Sequence, residues 1–152
     1  NDITPYDIQI SDFGLSLVGD TSESVLGYNA TGTLALIAPE VYNVSSDGYD
    51  AKRADMWSLG VFLLGVVACR PESWMDMFYQ NRMSFDDFVQ KSLADAFGTL
   101  QTNEKNPDFC DLIHQLLKAD PAERLTVHQA LDHKWMSTPI VPKKKGVIRR
   151  LF

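Results

Sequence analysis

The fourteen residues from Met56 to Cys69 contain no charged side chain. Trp57, Leu59, Val61, Phe62, Leu63, Leu64, Val66 and Val67 fill that run, and only Ser58, Gly60 and Gly65 interrupt it. A membrane span needs about 20 apolar residues, so the run reads as a core helix rather than a transmembrane one. A helix with no polar face must be covered by protein on every side. The expectation is a chain wrapped around this one helix. A length of 152 residues allows one such core.

The flanking sequence reads as shorter elements. Ile8 to Ser11 alternates apolar and polar residues, a short strand running into Asp12. Gly14 to Gly32 is rich in Ser, Thr, Gly and Asn without period, and a loop that long inside a compact domain is usually functional or mobile. Pro39 suits the first position of a short helix, where its missing N–H costs nothing. A polar turn follows from Asn43 to Gly48. Beyond the central helix, three amphipathic helices are expected. Ser84 caps the first, with Asp87 three residues on and an apolar stripe of Phe85, Phe88, Val89 and Phe97 before Gly98. Asn106-Pro107 opens the second, whose Phe109, Leu112, Ile113, Leu116 and Leu117 keep helical spacing, with Pro121 just past its end. Thr126 and Gln129 stand in capping-box spacing at the head of the third, which carries Val127, Ala130, Leu131 and Trp135.

Charge and cysteine usage exclude several classes. The net charge is −6, and residues 1–51 hold eight acids and no Lys or Arg. An acidic body argues against non-specific nucleic-acid binding, and no specific nucleic-acid partner is expected. The ten residues from Lys143 hold five basic residues and no acid. This basic tail reads as solvated, with nucleic acid, an anionic membrane or an acidic partner as its alternative contacts. Cys69 and Cys110 sit in apolar stretches without metal-ligand spacing, as buried thiols in a reducing compartment do. The acidic and polar opening does not read as a signal peptide. Together these features predict an intracellular, cytoplasmic protein.

Chemistry enters through five elements in fixed order. Asp12-Phe13-Gly14 places a carboxylate beside a bulky residue and a flexible one. Mg²⁺ is held by one or two such carboxylates plus phosphate oxygens. Gly32-Thr33 stands before Ala38-Pro39-Glu40. Asp55-Met56-Trp57-Ser58-Leu59-Gly60 heads the apolar helix. Arg124 lies in Asp120-Pro121-Ala122-Glu123-Arg124, and His133-Lys134-Trp135 comes last.

This order resembles the C-terminal lobe of the eukaryotic protein kinase family, from about Ile8 to Trp135. The resemblance implies a mainly α fold, the helical lobe of an α+β parent, with the N-terminal lobe absent. Residues 1–138 would be a partial kinase domain and residues 139–152 the tail. Asp12 matches the family's magnesium-binding, catalytic Asp, which bridges the metal to ATP phosphates. Phe13 matches the residue whose packing sets the active or inactive arrangement, and Gly14 the hinge beside it. Residues 15–37 would be the activation segment, with Thr33 next to the catalytic base in serine/threonine-specific members. Glu40 and Arg124 match a buried ion pair, and Asp55 the residue that caps the scaffold helix and bonds the catalytic loop. Leu15-Ser16, Gly48-Tyr49-Asp50 and Ala130-Leu131-Asp132-His133-Lys134-Trp135 resemble the calmodulin-dependent and related branch.

The departures matter as well. Leu34 and Leu36 stand where members usually carry Pro and an aromatic residue. Asn29 occupies a position that many members phosphorylate, which leaves Thr21, Ser22, Ser24 and Thr31 as candidate phosphate acceptors. The 152 residues contain no Gly-rich phosphate loop, upstream strand lysine or His-Arg-Asp catalytic loop. The expected function is therefore part of a serine/threonine kinase acting on protein substrates with ATP and Mg²⁺, the chain alone being inactive. The alternative is a non-catalytic, kinase-like scaffold or protein-binding module. With its usual cover missing, the apolar helix should leave a patch that promotes self-association.

Overall fold

The computed structural model describes residues 9–20, 24–68, 84, 87–91, 94 and 107–137. A 3-10 turn at Phe13–Leu15 is followed by strand β1 (Leu26–Gly27), helix α1 (Pro39–Tyr42) and strand β2 (Tyr49–Asp50). Helix α2 (Ala51–Ala68) comes next, then α3 (Pro107–Leu116), α4 (Val127–Leu131) and α5 (Lys134–Ser137). Residues 87–91 are helical too. The described chain is thus mostly helical with one small antiparallel sheet, in which Leu26 pairs with Asp50 and Gly27 with Tyr49.

Helix α2 begins at Ala51, five residues before the uncharged run. Its first turn carries Lys52 and Arg53, charges that hide it from a search for apolar residues. The expectation that Asp55 caps this helix is corrected, because Asp55 lies in its second turn. Asp50 does the capping: its Oδ1 accepts the Lys52 N–H at 3.0 Å. The Ala51 N–H donates to the Val25 carbonyl at 2.8 Å, which ties the head of α2 to the start of β1. Cys69, the expected end of the helix, lies outside the described residues.

Two apolar clusters hold the helices together. Trp57, Leu64, Phe109, Ile113 and Leu117 join Ile37, Ala38 and Val41 in the larger one. Met56, Leu112, Leu116 and Ala130 form the smaller. Gly60 sets the approach of α3 to α2. A Cβ on it would stand 2.9 Å from Leu116 Cβ and 2.8 Å from Leu117 Cδ2, too close for either to stay in place. All five periodic residues of the α3 stripe are buried, as their spacing demands.

Helix α2 is not covered on every side, and the apolar patch expected where its usual cover is missing is present. Leu59, Phe62 and Val66 share one stripe and are 42, 59 and 60% exposed. Apolarity alone shows that a helix face avoids water, not that anything in the same stretch of chain covers it.

Other expectations divide. Ser84 Oγ accepts the Asp87 N–H at 3.1 Å, and Phe88 and Val89 are buried as expected. Phe85, Phe97 and Gly98 lie outside the described residues. The capping box at α4 is complete, with Thr126 Oγ1 accepting from Gln129 N and Gln129 Oε1 accepting from Thr126 N. The last helix, however, is two helices. The chain turns at Asp132 and His133, so Trp135 belongs to α5 and packs its ring 5.0 Å from that of Phe109. His133 Nε2 meets Asp111 Oδ2 at 3.0 Å, and Lys134 pairs with Asp108 at 3.0 Å, fixing α5 on α3. Residues 9–12 form no strand, and Ile8 lies outside the described residues. The long loop is interrupted by β1, a strand of two residues that is too short to show a period.

Candidate functional site

Asp12 adopts a left-handed backbone, with φ 64° and ψ 68°. Asp and Asn are the side-chain-bearing residues that enter this region most readily. The conformation turns the chain into the Phe13–Leu15 turn, whose end is closed by Ser16 donating to the Phe13 carbonyl from both N and Oγ. Among the described residues no hydrogen bond or ion pair occupies the Asp12 carboxylate, and Phe13 beside it is 67% exposed. One free carboxylate fits a Mg²⁺ ion that takes its other ligands from phosphates and water. It does not make an all-protein cage, and no group of three acidic, His or Cys residues does so among the described residues.

From Asp12 onward the segment is fastened to the first half of α2 and the strand before it. Ser24 Oγ donates to Asp50 Oδ2 at 3.1 Å, and Lys52 Nζ donates to the Asp20 carbonyl at 2.9 Å. Tyr49 Oη donates to the Asn29 carbonyl at 3.1 Å, and Ser58 Oγ to that of Leu36 at 2.9 Å. A cleft of about 200 Å³ lies along this path, lined by Ser16, Asn29, Thr31 and Tyr49 among others. Ser24 and Thr31 are exposed, while Thr21 and Ser22 lie outside the described residues.

Gly32 and Thr33 shape the end of the segment. Gly32 takes φ 116°, and a Cβ there would stand 2.8 Å from Ile37 Cγ2. The Thr33 carbonyl accepts the N–H groups of Leu36 at 2.7 Å and Ile37 at 3.1 Å, forming a turn that leaves Leu34 exposed. Ala38 follows fully buried, and Pro39 opens α1 at its first position.

Glu40 and Arg124 meet across 84 residues. Arg124 Nη1 lies 2.7 Å from Glu40 Oε1, and Nη2 lies 3.0 Å from Oε2. This is a two-pronged pair, the strongest geometry a guanidinium offers a carboxylate. The Arg124 side chain is wholly buried and that of Glu40 16% exposed. Arg124 also donates to the carbonyls of Lys118, Arg53 and Ala119. Arg53 answers by donating from its own Nη1 to the Arg124 carbonyl. Ala38, Glu40, Trp57 and Arg124 thus come together, whereas no hydrogen bond or ion pair among the described residues joins Asp12 to them.

Sequence reasoning overlooked Asp50, Lys52 and Arg53 as anchors. The signal was present, since Lys52-Arg53 is the first basic pair after 51 residues without one. Asp55, still reaching solvent, has its carboxyl pKa raised by partial desolvation, and no described residue bonds it. Cys110 is buried, and desolvation raises its thiol pKa, as suits an inert core position.

The mostly helical fold, the Asp-Phe-Gly turn and the distant Glu–Arg pair define a class that sequence comparison identifies. The protein kinase domain family matches residues 2–136, and the chain belongs to that family, on its serine/threonine side. Its relatives include the bovine (Bos taurus) phosphorylase b kinase gamma catalytic chain, liver/testis isoform, 34% identical over 83% of this chain and 30% of the relative. The rice (Oryza sativa subsp. japonica) CBL-interacting protein kinase 24 is 30% identical over 91% of this chain and 28% of its own length. Mouse (Mus musculus) Tribbles homolog 2 is 33% identical over 76% of this chain and 31% of its own length. The chain therefore spans under a third of the length of these relatives.

Proposed function

We propose that this chain is part of a serine/threonine protein kinase that transfers the ATP γ-phosphate to protein hydroxyls, in the calmodulin-dependent-like branch. It supplies the helical lobe of that enzyme. The observation that carries the reading is the Glu40–Arg124 pair, which locks the end of the activation segment onto the turn before α4. Such a lock gives the segment a fixed seat beside the scaffold helix, and phosphoryl transfer depends on positioning of that kind.

In this reading Asp12 is the metal-binding residue, and bound Mg²⁺ neutralises charge on the ATP phosphates. Thr33 faces the catalytic base, and Asp55, with its carboxylate free, receives the backbone of the catalytic loop. The partners are ATP and a protein substrate, with the basic tail free to meet an acidic surface. Among the described residues no helix is long and apolar enough to cross a membrane.

Transfer also needs a catalytic Asp and a phosphate-binding Lys. These 152 residues hold no His-Arg-Asp sequence, so the chain by itself is expected to be inactive. The test has two arms, both read with radiolabelled ATP, Mg²⁺ and a Ser/Thr peptide mixture. The isolated chain should transfer no more label than its Asp12→Asn variant. The full-length gene product should transfer label and lose that activity on the same substitution. A full-length protein that binds partners but transfers nothing would move the reading to a kinase-like scaffold.

A further inference from the structure

We propose that Arg53 is a positioning residue: acting through Arg124, it fixes the seat for protein substrate that the end of the activation segment forms. The inference deepens the kinase reading and rests on it. Arg53 and Arg124 hold each other by their main chains. Arg124 Nη1 donates to the Arg53 carbonyl at 2.7 Å, and Arg53 Nη1 donates to the Arg124 carbonyl. Each guanidinium spends a donor on the other's carbonyl dipole, while Glu40, 2.7 Å away, answers the charge of Arg124.

The reciprocal pair ties three elements together. Arg53 lies in the first turn of α2, Arg124 lies just before α4, and Glu40 lies in the first turn of α1. Arg124 has no slack, because its side chain is wholly buried and also bonds the carbonyls of Lys118 and Ala119. Whatever fixes its main chain therefore fixes the carboxylate it holds. Arg53, half-buried at the edge of this cluster, supplies that hold from α2. Lys52 beside it donates to the Asp20 carbonyl at 2.9 Å, near the start of the segment. The first turn of α2 thus grips the segment directly at its front and, through Arg53 and Arg124, at its end.

Removing the Arg53 guanidinium breaks one bond of the pair and leaves the other, because the Arg53 carbonyl is backbone and survives any substitution. The Glu40–Arg124 contact then stays formed but loses its fixed place against α2. In the kinase reading, residues 32–37 seat the protein substrate around Thr33, and a small displacement of such a seat is costly. Binding of the protein substrate should weaken while ATP binding is spared. The phosphates belong to Asp12, which no hydrogen bond or ion pair among the described residues joins to this cluster.

The experiment compares Arg53→Met, which keeps an apolar stem, with Arg53→Lys, which keeps a cationic donor. In the full-length gene product, Arg53→Met should raise KM for a Ser/Thr peptide about tenfold and KM for ATP under about twofold. Arg53→Lys should bring the peptide KM back to within about threefold of the parent. A second arm does not depend on catalysis. It reads amide hydrogen exchange at Val41 and Tyr42, whose N–H groups bond the Ala38 carbonyl at 3.0 Å, and at Leu117, which bonds the Ile113 carbonyl at 3.0 Å. Arg53→Met should speed exchange of the α1 pair about tenfold and that of Leu117 under about twofold. A full-length protein that transfers nothing would sink the kinase reading, and the exchange arm alone would then decide whether Arg53 positions α1 through Arg124. Equal speeding at Leu117 would show a general loss of stability and overturn the proposal. An unchanged α1, or a KM for ATP that rises with that for the peptide, would overturn it as well.

Discussion

The guanidinium carbon of Arg124 stands 5.0 Å from the centre of the Trp57 ring. A cation over an aromatic face is attracted by the ring's quadrupole, more strongly where water is excluded. Both side chains are fully buried. Every one of the five guanidinium N–H groups is used at the same time, two on Glu40 and three on the carbonyls of Lys118, Arg53 and Ala119. Buried charge is tolerated here because it is entirely spoken for.

Arg124→Lys should therefore behave as a severe substitution. Lysine offers three donors in place of five and cannot bridge both Glu40 oxygens. Loss of about 3–5 kcal/mol is expected, because at least two of the five buried contacts Arg124 makes are left unmade. Urea denaturation of the two proteins measures it, and a loss below about 1 kcal/mol would show that the pair is not a lock.

Gly27 lies beneath the ring of Tyr49, its cross-strand neighbour. A Cβ on Gly27 would stand 2.6 Å from Tyr49 Oη and 2.8 Å from Cε2. Gly27→Ala should push the ring aside and break the Tyr49–Asn29 bond. The expected cost is about 1–3 kcal/mol, as for other overpacked sites. Limited proteolysis should cut the 24–37 segment faster in the variant, while α3 stays protected.

Asp55 predicts a pH dependence of unusual sign. Its carboxyl pKa is raised in the folded protein by desolvation. The folded state then holds the proton more tightly than the unfolded state, so stability falls as pH rises from the ordinary carboxylate value through the folded one. Above that window the ionised group is a standing penalty. Asp55→Asn should raise the melting temperature at pH 7, and the gain should vanish at a pH below the ordinary carboxylate value. An Asn variant that melts lower at pH 7 would show that the ionised form is held by bonds instead.

Leu59, Phe62 and Val66 give a prediction about solution behaviour. Their shared exposure on α2 should drive concentration-dependent association of the isolated chain. Phe62→Lys puts a charge at the middle of the stripe without touching the buried face. Sedimentation velocity should show less association for the variant. An unchanged distribution would place the contact elsewhere.

What could be read in advance follows from the range of the interaction. The α3 stripe and the Thr126–Gln129 cap are local, so their spacing states them outright. Helix α2 shows the limit: its apolar run marks the core, but its first turn is charged and is held by Asp50 and Val25, which no periodicity reveals. The two-residue strands exist because Gly27 and Tyr49 meet across a loop. The break before α5 depends on His133 reaching Asp111, and the Glu40–Arg124 contact spans 84 residues. Motif order pointed to that last pair; the residues by themselves did not. The exposed stripe on α2 shows that a pattern of side chains records what shuns water and is silent about what covers it.

The left-handed turn at Asp12 has a bearing on how the residue can be tested. Alanine there would remove a charge and also force a backbone that alanine resists, so a dead Asp12→Ala protein would report two injuries as one. Asparagine shares both the shape and the tolerance for positive φ. The position thus accepts a clean isosteric probe, and any comparison of metal affinity should be made against that neutral twin.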